Sequence, residues 1–506
     1  MRDTRVPAMA DGGVNTADYL LSTGAPDDIA IVDGTVHYRY DDLRRSAAMV
    51  ARAIDELGLQ TGSKVALIGP NSLFWVAGYL AVMKLGLVVV PLADKSTPED
   101  VRVKMDAVGC TAVLADRRVL RRHATAFCDV RVLTDEILDS PTPGTWPDLP
   151  TCADDDAVLM FTSGTTSTAK AVRVTHRNLQ ANTSSIVTYL GLRCDDRVLV
   201  VLPFFYCYGA SLLHTHLRVG ARLVLCSSFV FPEVVIDQLE HEECTVFAGV
   251  PSSFQLLLRA GSFATRSLPS LRLIQQAGGK LSPALIDELV AARPHSRVFV
   301  MYGQTEATAR LSYLPPERLK EKLGSIGRGI PGVELRVLDE AGRPVRPGER
   351  GEIYARGENV SPGYFGDPEG SAPKFTEHGL RTGDLAVVDE EGFIFIVDRR
   401  EDFIKSWGYR ISSQEIEASA SHHADVVAAA AIGVPDERAG EAVMLFVSIR
   451  PGSTTGSDDV LAFLGTALPR HMAPQKVVVL DSLPLNANGK VAKSVLRELA
   501  MNGSTF

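Results

Sequence analysis

Short apolar runs alternate with amphipathic stretches through most of the chain. Residues 63–70 (SKVALIGP) read as a buried strand; Asn71 is placed to cap a following helix, Gly86 to end it, and residues 87–92 (LVVVPL) to begin the next strand. That is a βαβ unit. The pattern recurs in RVLVVLP at 197–203, a helical stretch around Ser211–Leu217, RLVLC at 222–226, a helix after Pro232 and TVFAG at 245–249. It continues with a helix PSSFQLLLRA at 251–260, RLIQQ at 272–276, a helix after Pro283 and RVFVMYG at 297–303. Strands alternating with helices predict α/β architecture, with parallel sheets covered on both faces. From about Gly324 the texture shifts to short alternating segments such as VELRVLD (333–339) and GEIYARG (351–357), with Gly and Pro turns, which predict a β-barrel or small β-subdomain. Val387–Val397 forms a hairpin pattern around residues 389–392. After Arg399 and Arg400 a smaller α+β pattern runs to the end, with a helix over Asp458–Ala467 and a strand in VVVLDSLP (477–484). The division is therefore set between a large domain, 1–400, and a small domain, 401–506. The linker-like stretch inside the large domain is 139–156.

Leu73–Ala93 carries one charge, Lys84, and could pass for a membrane span. Lys84 near its middle would cost about 2.5–3.5 kcal/mol in a bilayer, and Gly86 and Pro91 interrupt the run, so a helix followed by a buried strand is the better reading. With 506 residues the chain exceeds one typical core, and 45% hydrophobic with 22% charged residues are ordinary globular values. The net charge of −9 disfavours a broad grip on nucleic acid or on an anionic membrane. Seven scattered cysteines without a C-x-x-C pair read as free thiols of a reducing compartment, and the N-terminus shows no apolar secretory core, so a cytoplasmic protein is expected.

Candidate chemistry begins at residues 161–170, FTSGTTSTAK, between the apolar strand AVLMF and the strand-like AVRV. Backbone N–H groups, the hydroxyls of Thr162, Ser163, Thr165 and Thr166, a turn at Gly164 and the charge of Lys170 together suit a polyphosphate. The composition alone favours a solvated Ser/Thr turn, and Ala169-Lys170-Ala171 is not a Walker sequence. Two apparent motifs carry nothing. Residues 327–332 fit G-x-G-x-x-G but lead into a strand, not a helix; His214 and His216, two apart on a helix, face different ways and make no metal pair.

Five further blocks follow in order: LPFFYCYG (202–209), QAGGKL (276–281), MYGQTEA (301–307), the run from Arg381 to Glu417, and LPLNANGK (483–490). Jointly, over nearly the whole chain, they resemble the adenylate-forming superfamily of acyl-CoA synthetases, peptide-synthetase adenylation domains and luciferases. The resemblance implies a large domain of two doubly wound sheets plus a β-barrel, with a small mobile α+β domain closing over it. It implies an AMP-forming ligase, using ATP and Mg²⁺, that makes an acyl adenylate and passes it to a phosphopantetheine thiol of CoA or a carrier protein. An amine acceptor, or an ATP-binding homologue with degraded catalysis, is the alternative. By the same resemblance Tyr302 stacks on adenine, Gly278, Gly279 and Gly303 admit the nucleotide, Thr305 touches the α-phosphate and Glu306 holds Mg²⁺. Asp384, with Arg399 beside it, takes the ribose hydroxyls, and Lys490 is the catalytic lysine. Glu401 is the hinge; Lys405, Gly408 and Arg410 reach the site after rotation. Tyr206, Cys207, Gly209, Gly249 and Gln276 belong to the acid pocket.

Departures from the family pattern fall in the phosphate loop, where Ser167, Ala169 and Ala171 replace glycine, proline and glycine. A left-handed backbone at Ser167 would carry about 1–3 kcal/mol of strain. Tyr206 stands where many acyl-CoA synthetases have histidine and amino-acid adenylation domains have aspartate, so an acid without an α-amino group is expected.

Overall fold

The computed structural model describes residues 15–501 except 141, 143, 145, 163–169, 227, 228, 230, 400–402, 408, 437, 451 and 487. The side chains of Asp398, Arg399 and Arg410 also lie outside the description.

The helix Leu73–Lys84 is apolar all round and fully buried. Its cap is Ser72, whose side chain accepts from Trp75 N, and not Asn71 as the sequence pattern predicts. Asn71 is used across the fold: its amide donates to Leu202 O (2.9 Å) and accepts from Phe204 N (2.9 Å), tying this helix start to the 202–209 segment. Gly86 follows the helix at φ +67°, as the turn requires. Lys84 is buried but neutralised by Asp18 at 2.6 Å. No helix among the described residues is long and apolar enough to cross a membrane.

Two mixed sheets form the α/β body. The six-stranded sheet runs Arg131–Thr134, Cys110–Ala115, Lys64–Ile68, Val88–Leu92, Asp156–Phe161 and Ala171–Thr175. It is parallel except for the last pair, a hairpin whose connection holds the Ser/Thr-rich loop. In the nine-stranded sheet the inner strands are parallel and both edges antiparallel: Val36–Arg39 closes one side, and Ser312–Leu314 and Arg328–Gly329 the other. The expected parallel sheets carry antiparallel edges there, because short connections after Asp33 and Tyr302 turn the chain back on itself. Arg197–Val200 lies between Arg222–Leu225 and Val246–Gly249, so the chain leaves it to one side and then continues on the other. Such a switch point opens a crevice at the carboxyl ends of the strands.

The β-barrel element is an open five-stranded antiparallel sheet, of which Arg350–Arg356 and Gly379–Val388 are the centre. The C-terminal sheet pairs Val426–Asp436 with Gly440–Ile449 along their length and adds Lys476–Leu480 in parallel. It has its own apolar core, including Ile416, Leu445, Val460 and Leu464. Arg259, on the helix Pro251–Ala260, donates across to the carbonyls of Ser421 (3.2 Å) and Val426 and pairs with Glu288 (2.9 Å). The small domain is thereby docked on the large one.

Candidate active site

A cavity of about 670 Å³ sits where the switch point predicts it. Its wall is made by segments that follow three strands of the nine-stranded sheet: 205–208 after Arg197–Val200, 277–278 after Leu273–Gln276, and 303–306 after Arg297–Tyr302. The hairpin supplies Thr162 and Lys170, the β-sheet supplies Thr382, Gly383 and Asp384, and the C-terminal domain supplies Asn486, Asn488 and Lys490.

Close backbone approach shapes the wall. Gly278 has φ +85°, and a Cβ there would lie 2.8 Å from Val250 Cγ1 and 3.2 Å from the Tyr206 hydroxyl. A Cβ on Gly303 would meet Ala309 O at 1.9 Å. Only glycine fits either position. Glu306 lies on the short turn Thr305–Ala307 and accepts from the Tyr364 hydroxyl at 2.8 Å. Burial, reinforced by the Glu306 charge, holds the Tyr364 phenol well above its usual range, so it remains a donor to that carboxylate. The Tyr364 ring lies under Lys170, whose Nζ is 4.7 Å from the ring centroid and 3.5 Å from Asp367. Asp384 stands opposite Arg399 in strand register and accepts from the Tyr302 hydroxyl. Behind it Arg381 forks onto Glu352 (2.8–3.0 Å), which also receives Gly383 N at 3.1 Å and so fixes the 382–384 turn.

Tyr206, Cys207, Tyr208 and Arg310 also line the cavity. Burial pushes the Cys207 thiol up, partly opposed by a hydrogen bond from Thr305 (3.6 Å) and by Lys490. Lys490 Nζ lies 5.6 Å from the Tyr206 ring centroid. Its loop is formed locally: Asn486 Oδ1 accepts from Lys490 N (3.1 Å), Gly489 turns at φ +76°, and Ser252 of the large domain donates to Gly489 O (2.7 Å).

Of the residues the sequence singles out, Thr162, Lys170, Gly278, Gly303, Thr305, Glu306, Asp384, Tyr206, Cys207 and Lys490 meet on this one cavity. Tyr302, Gly279, Gln276, Gly249 and Gly209 stand behind it. Tyr302 is held by Asp384, Gln276 donates to Gly279 O (2.8 Å), and Gly249 abuts the Phe254 ring. Gly209 lets the helix Cys207–Val219 pass the Pro203 carbonyl, which a Cβ would meet at 2.0 Å. Lys405 is exposed on Phe403–Ser406, away from the cavity, opposite Arg410 in register. Ser163, Gly164, Thr165, Thr166, Ser167 and Ala169, with Glu401 and Gly408, lie outside the described residues. His214 and His216 are buried and unrelated to each other: one bonds the Tyr79 hydroxyl (2.9 Å), the other Leu212 O (2.9 Å). Among the described residues no His, Cys, Asp and Glu cluster could hold a metal by itself. Glu306 as a lone carboxylate fits a hard cation shared with phosphate oxygens.

Sequence reasoning missed Tyr364, Asp367, Glu352, Arg381, Tyr208 and Arg310. Tyr364 lies in an irregular Gly/Pro segment without periodicity, so nothing local marks it. Arg310 left one signal, a lone charge in the otherwise uncharged stretch 307–314 directly after the MYGQTEA block.

The model of the AMP-binding enzyme family matches residues 22–365, and that of the AMP-binding enzyme C-terminal domain matches residues 415–490. A feruloyl-CoA synthase from an Amycolatopsis species is 33% identical over 504 residues, covering 97% of this chain and 99% of that protein. Among solved structures, o-succinylbenzoate CoA synthetase from Bacillus subtilis, in complex with its acyl-adenylate intermediate, superposes with a TM-score of 0.85 at 26% identity, covering 96% and 99% of the two chains. ATP-bound MatB from Rhodopseudomonas palustris gives 0.86 at 28% identity, covering 96% and 98%, whereas its apo form gives 0.75. The arrangement seen here is thus nearer the ATP-bound form of that protein.

Proposed function

The chain belongs to the AMP-binding enzyme family, and on that premise we propose that it is an acid:thiol ligase, activating a carboxylic acid without an α-amino group and delivering it to the thiol of CoA. The observation that carries this reading is the convergence of Lys490, Thr305, Glu306 and Asp384, from three separate parts of the chain, on one cavity. A carboxylate oxygen of the acid attacks the α-phosphorus of ATP; the bond to the bridging oxygen breaks and pyrophosphate leaves. Lys490 and Lys170 offset negative charge on the phosphate oxygens as it shifts, without having to reorganise. Glu306, oriented by Tyr364, would hold Mg²⁺, which neutralises phosphate charge when bound. Asp384 is presented to the ribose and Gly278 and Gly303 leave room for the nucleotide.

In the second step a thiol loses its proton and attacks the acyl carbonyl, and AMP departs. We assign that step to a state in which the small domain, divided from the large at 400/401, turns about Glu401 and brings Lys405, Gly408 and Arg410 toward the cavity. The exposed position of Lys405 agrees with this. CoA is the acceptor in preference to a carrier protein, and the setting is the cytoplasm. The test is acid-dependent exchange of labelled pyrophosphate into ATP across an acid panel, then mass spectrometry of the product formed with CoA, a carrier protein or amines. The expected result is exchange only with the cognate acid and a CoA thioester as product. Tight ATP binding with no exchange for any acid overturns the reading.

A further inference from the structure

Arg310 is 2% exposed, borders the cavity, and has no carboxylate within ion-pairing distance among the described residues. Its partners are neutral: Nη1 donates to the Tyr189 hydroxyl (3.1 Å) and Met301 Sδ (2.7 Å), Nη2 to Ser211 Oγ (3.2 Å) and Gln275 Oε1 (3.3 Å). The guanidinium lies over the Tyr208 ring, 4.5 Å from its centroid. Two buried donors in this cluster, Arg310 Nε and Gln275 Nε2, have no hydrogen-bond partner. Of the other buried cations among the described residues, Lys84 has Asp18, while Arg218 is held by Ser22 Oγ (3.0 Å) and the Tyr19 ring away from the cavity; Arg310 is the one without a carboxylate that borders the cavity.

A buried guanidinium held only by hydroxyl, thioether and amide acceptors keeps an uncompensated charge, which is strongly unfavourable unless an anion arrives. The cluster is a preformed donor set, positively charged, on the cavity wall. Resting on the reading of this cavity as an acid-activating site, we propose that the acid carries a second carboxylate, received by Arg310, at the end remote from the one that is adenylated. The substrate class is then a dicarboxylic acid. Arg310 would select it by supplying the fork that a carboxylate fits and by leaving that fork unpaired when a plain acid binds.

The experiment compares dicarboxylates with monocarboxylates of equal length, for example adipate with hexanoate and terephthalate with 4-methylbenzoate. Two readouts are taken on the full chain: pyrophosphate exchange, and the shift in Tm produced by each acid with Mg·ATP present. For the best-fitting length the dicarboxylate is expected to exceed its monocarboxylate counterpart by on the order of 10²-fold or more in kcat/KM. It should also raise Tm where the monocarboxylate does not. Arg310→Met should collapse that ratio and abolish the Tm shift. Arg310→Lys, which keeps the charge but not the fork and guards against misfolding of the first variant, should retain part of the ratio. Exchange with monocarboxylates in preference to every dicarboxylate overturns the inference and leaves the ligase reading standing. A dicarboxylate Tm shift, lost in Arg310→Met, with no exchange for any acid overturns the ligase reading and retains the anion site. An unchanged ratio in a folded Arg310→Met, or no dicarboxylate shift in the unsubstituted protein, overturns the inference.

Discussion

Two of the cations that line the cavity, Arg310 and Lys490, are held in opposite ways. Arg310 is locked in the large domain by four side-chain hydrogen bonds and an aromatic face. Lys490 sits on a turn of the small domain that Ser252 of the large domain holds through Gly489 O (2.7 Å). In the proposed function both act through their positive charge, and Lys490 alone of the two belongs to the domain proposed to turn. Under the proposed function and the dicarboxylate proposal, recognition of the acid is built into the large-domain wall, whereas the cation assigned to phosphorus chemistry moves with the small domain. A ligase with two chemical steps at one cavity gains by this division, because the group needed only for the first step does not obstruct the second.

The largest effect should come from the detachable side. Lys490→Ala is expected to slow adenylate formation by roughly 10²- to 10³-fold, as loss of a preorganised charge donor typically does. Transfer from a synthetic adenylate should be nearly unaffected, and single-turnover kinetics of the two half-reactions measures both. Equal losses in both would erase the distinction between the two cations.

The clasp between the domains comes next. Arg259 is 95% withdrawn from solvent and bonds two carbonyls of the small domain. Hydrogen bonds from a charged group contribute roughly 1.5–3 kcal/mol each, and part of that is recovered by water in the undocked state. Arg259→Ala should therefore lower the rate of adenylation by about tenfold while transfer from supplied adenylate stays level or improves. A parallel fall in both steps would mean that the clasp serves folding and not docking.

The smallest effect belongs to the fixed side and is read as stability. Burial depresses His214 to about 3 and His216 and His176 to about 4, from an ordinary value near 6.5. All three are neutral in the folded protein. Below pH 6.5 the unfolded chain takes up protons that the folded one refuses, so stability falls as pH drops from 6.5 toward 4. His214→Gln, which still offers the Tyr79 hydroxyl a partner, should remove on the order of 1–2 kcal/mol of that acid sensitivity. Tm measured from pH 7 to pH 4.5 gives the slope; an unchanged slope would place the acid-labile groups elsewhere.

The sequence by itself determined the alternation of strands and helices, the change of texture near Gly324, and the ordered blocks that identify the family, because each is written in neighbouring residues. Periodicity, caps and short motifs are local properties, and ten of the singled-out residues do converge on one cavity. Asn71 shows the limit: its local context suits a cap, but a partner 131 residues away claims its side chain. Tertiary structure alone decided that Tyr364 orients Glu306, that Arg381 and Glu352 brace the turn before Asp384, and that Arg310 has neutral partners. Those relations join residues far apart along the chain, and whether a buried charge is compensated depends on what the fold packs around it, not on its neighbours along the chain.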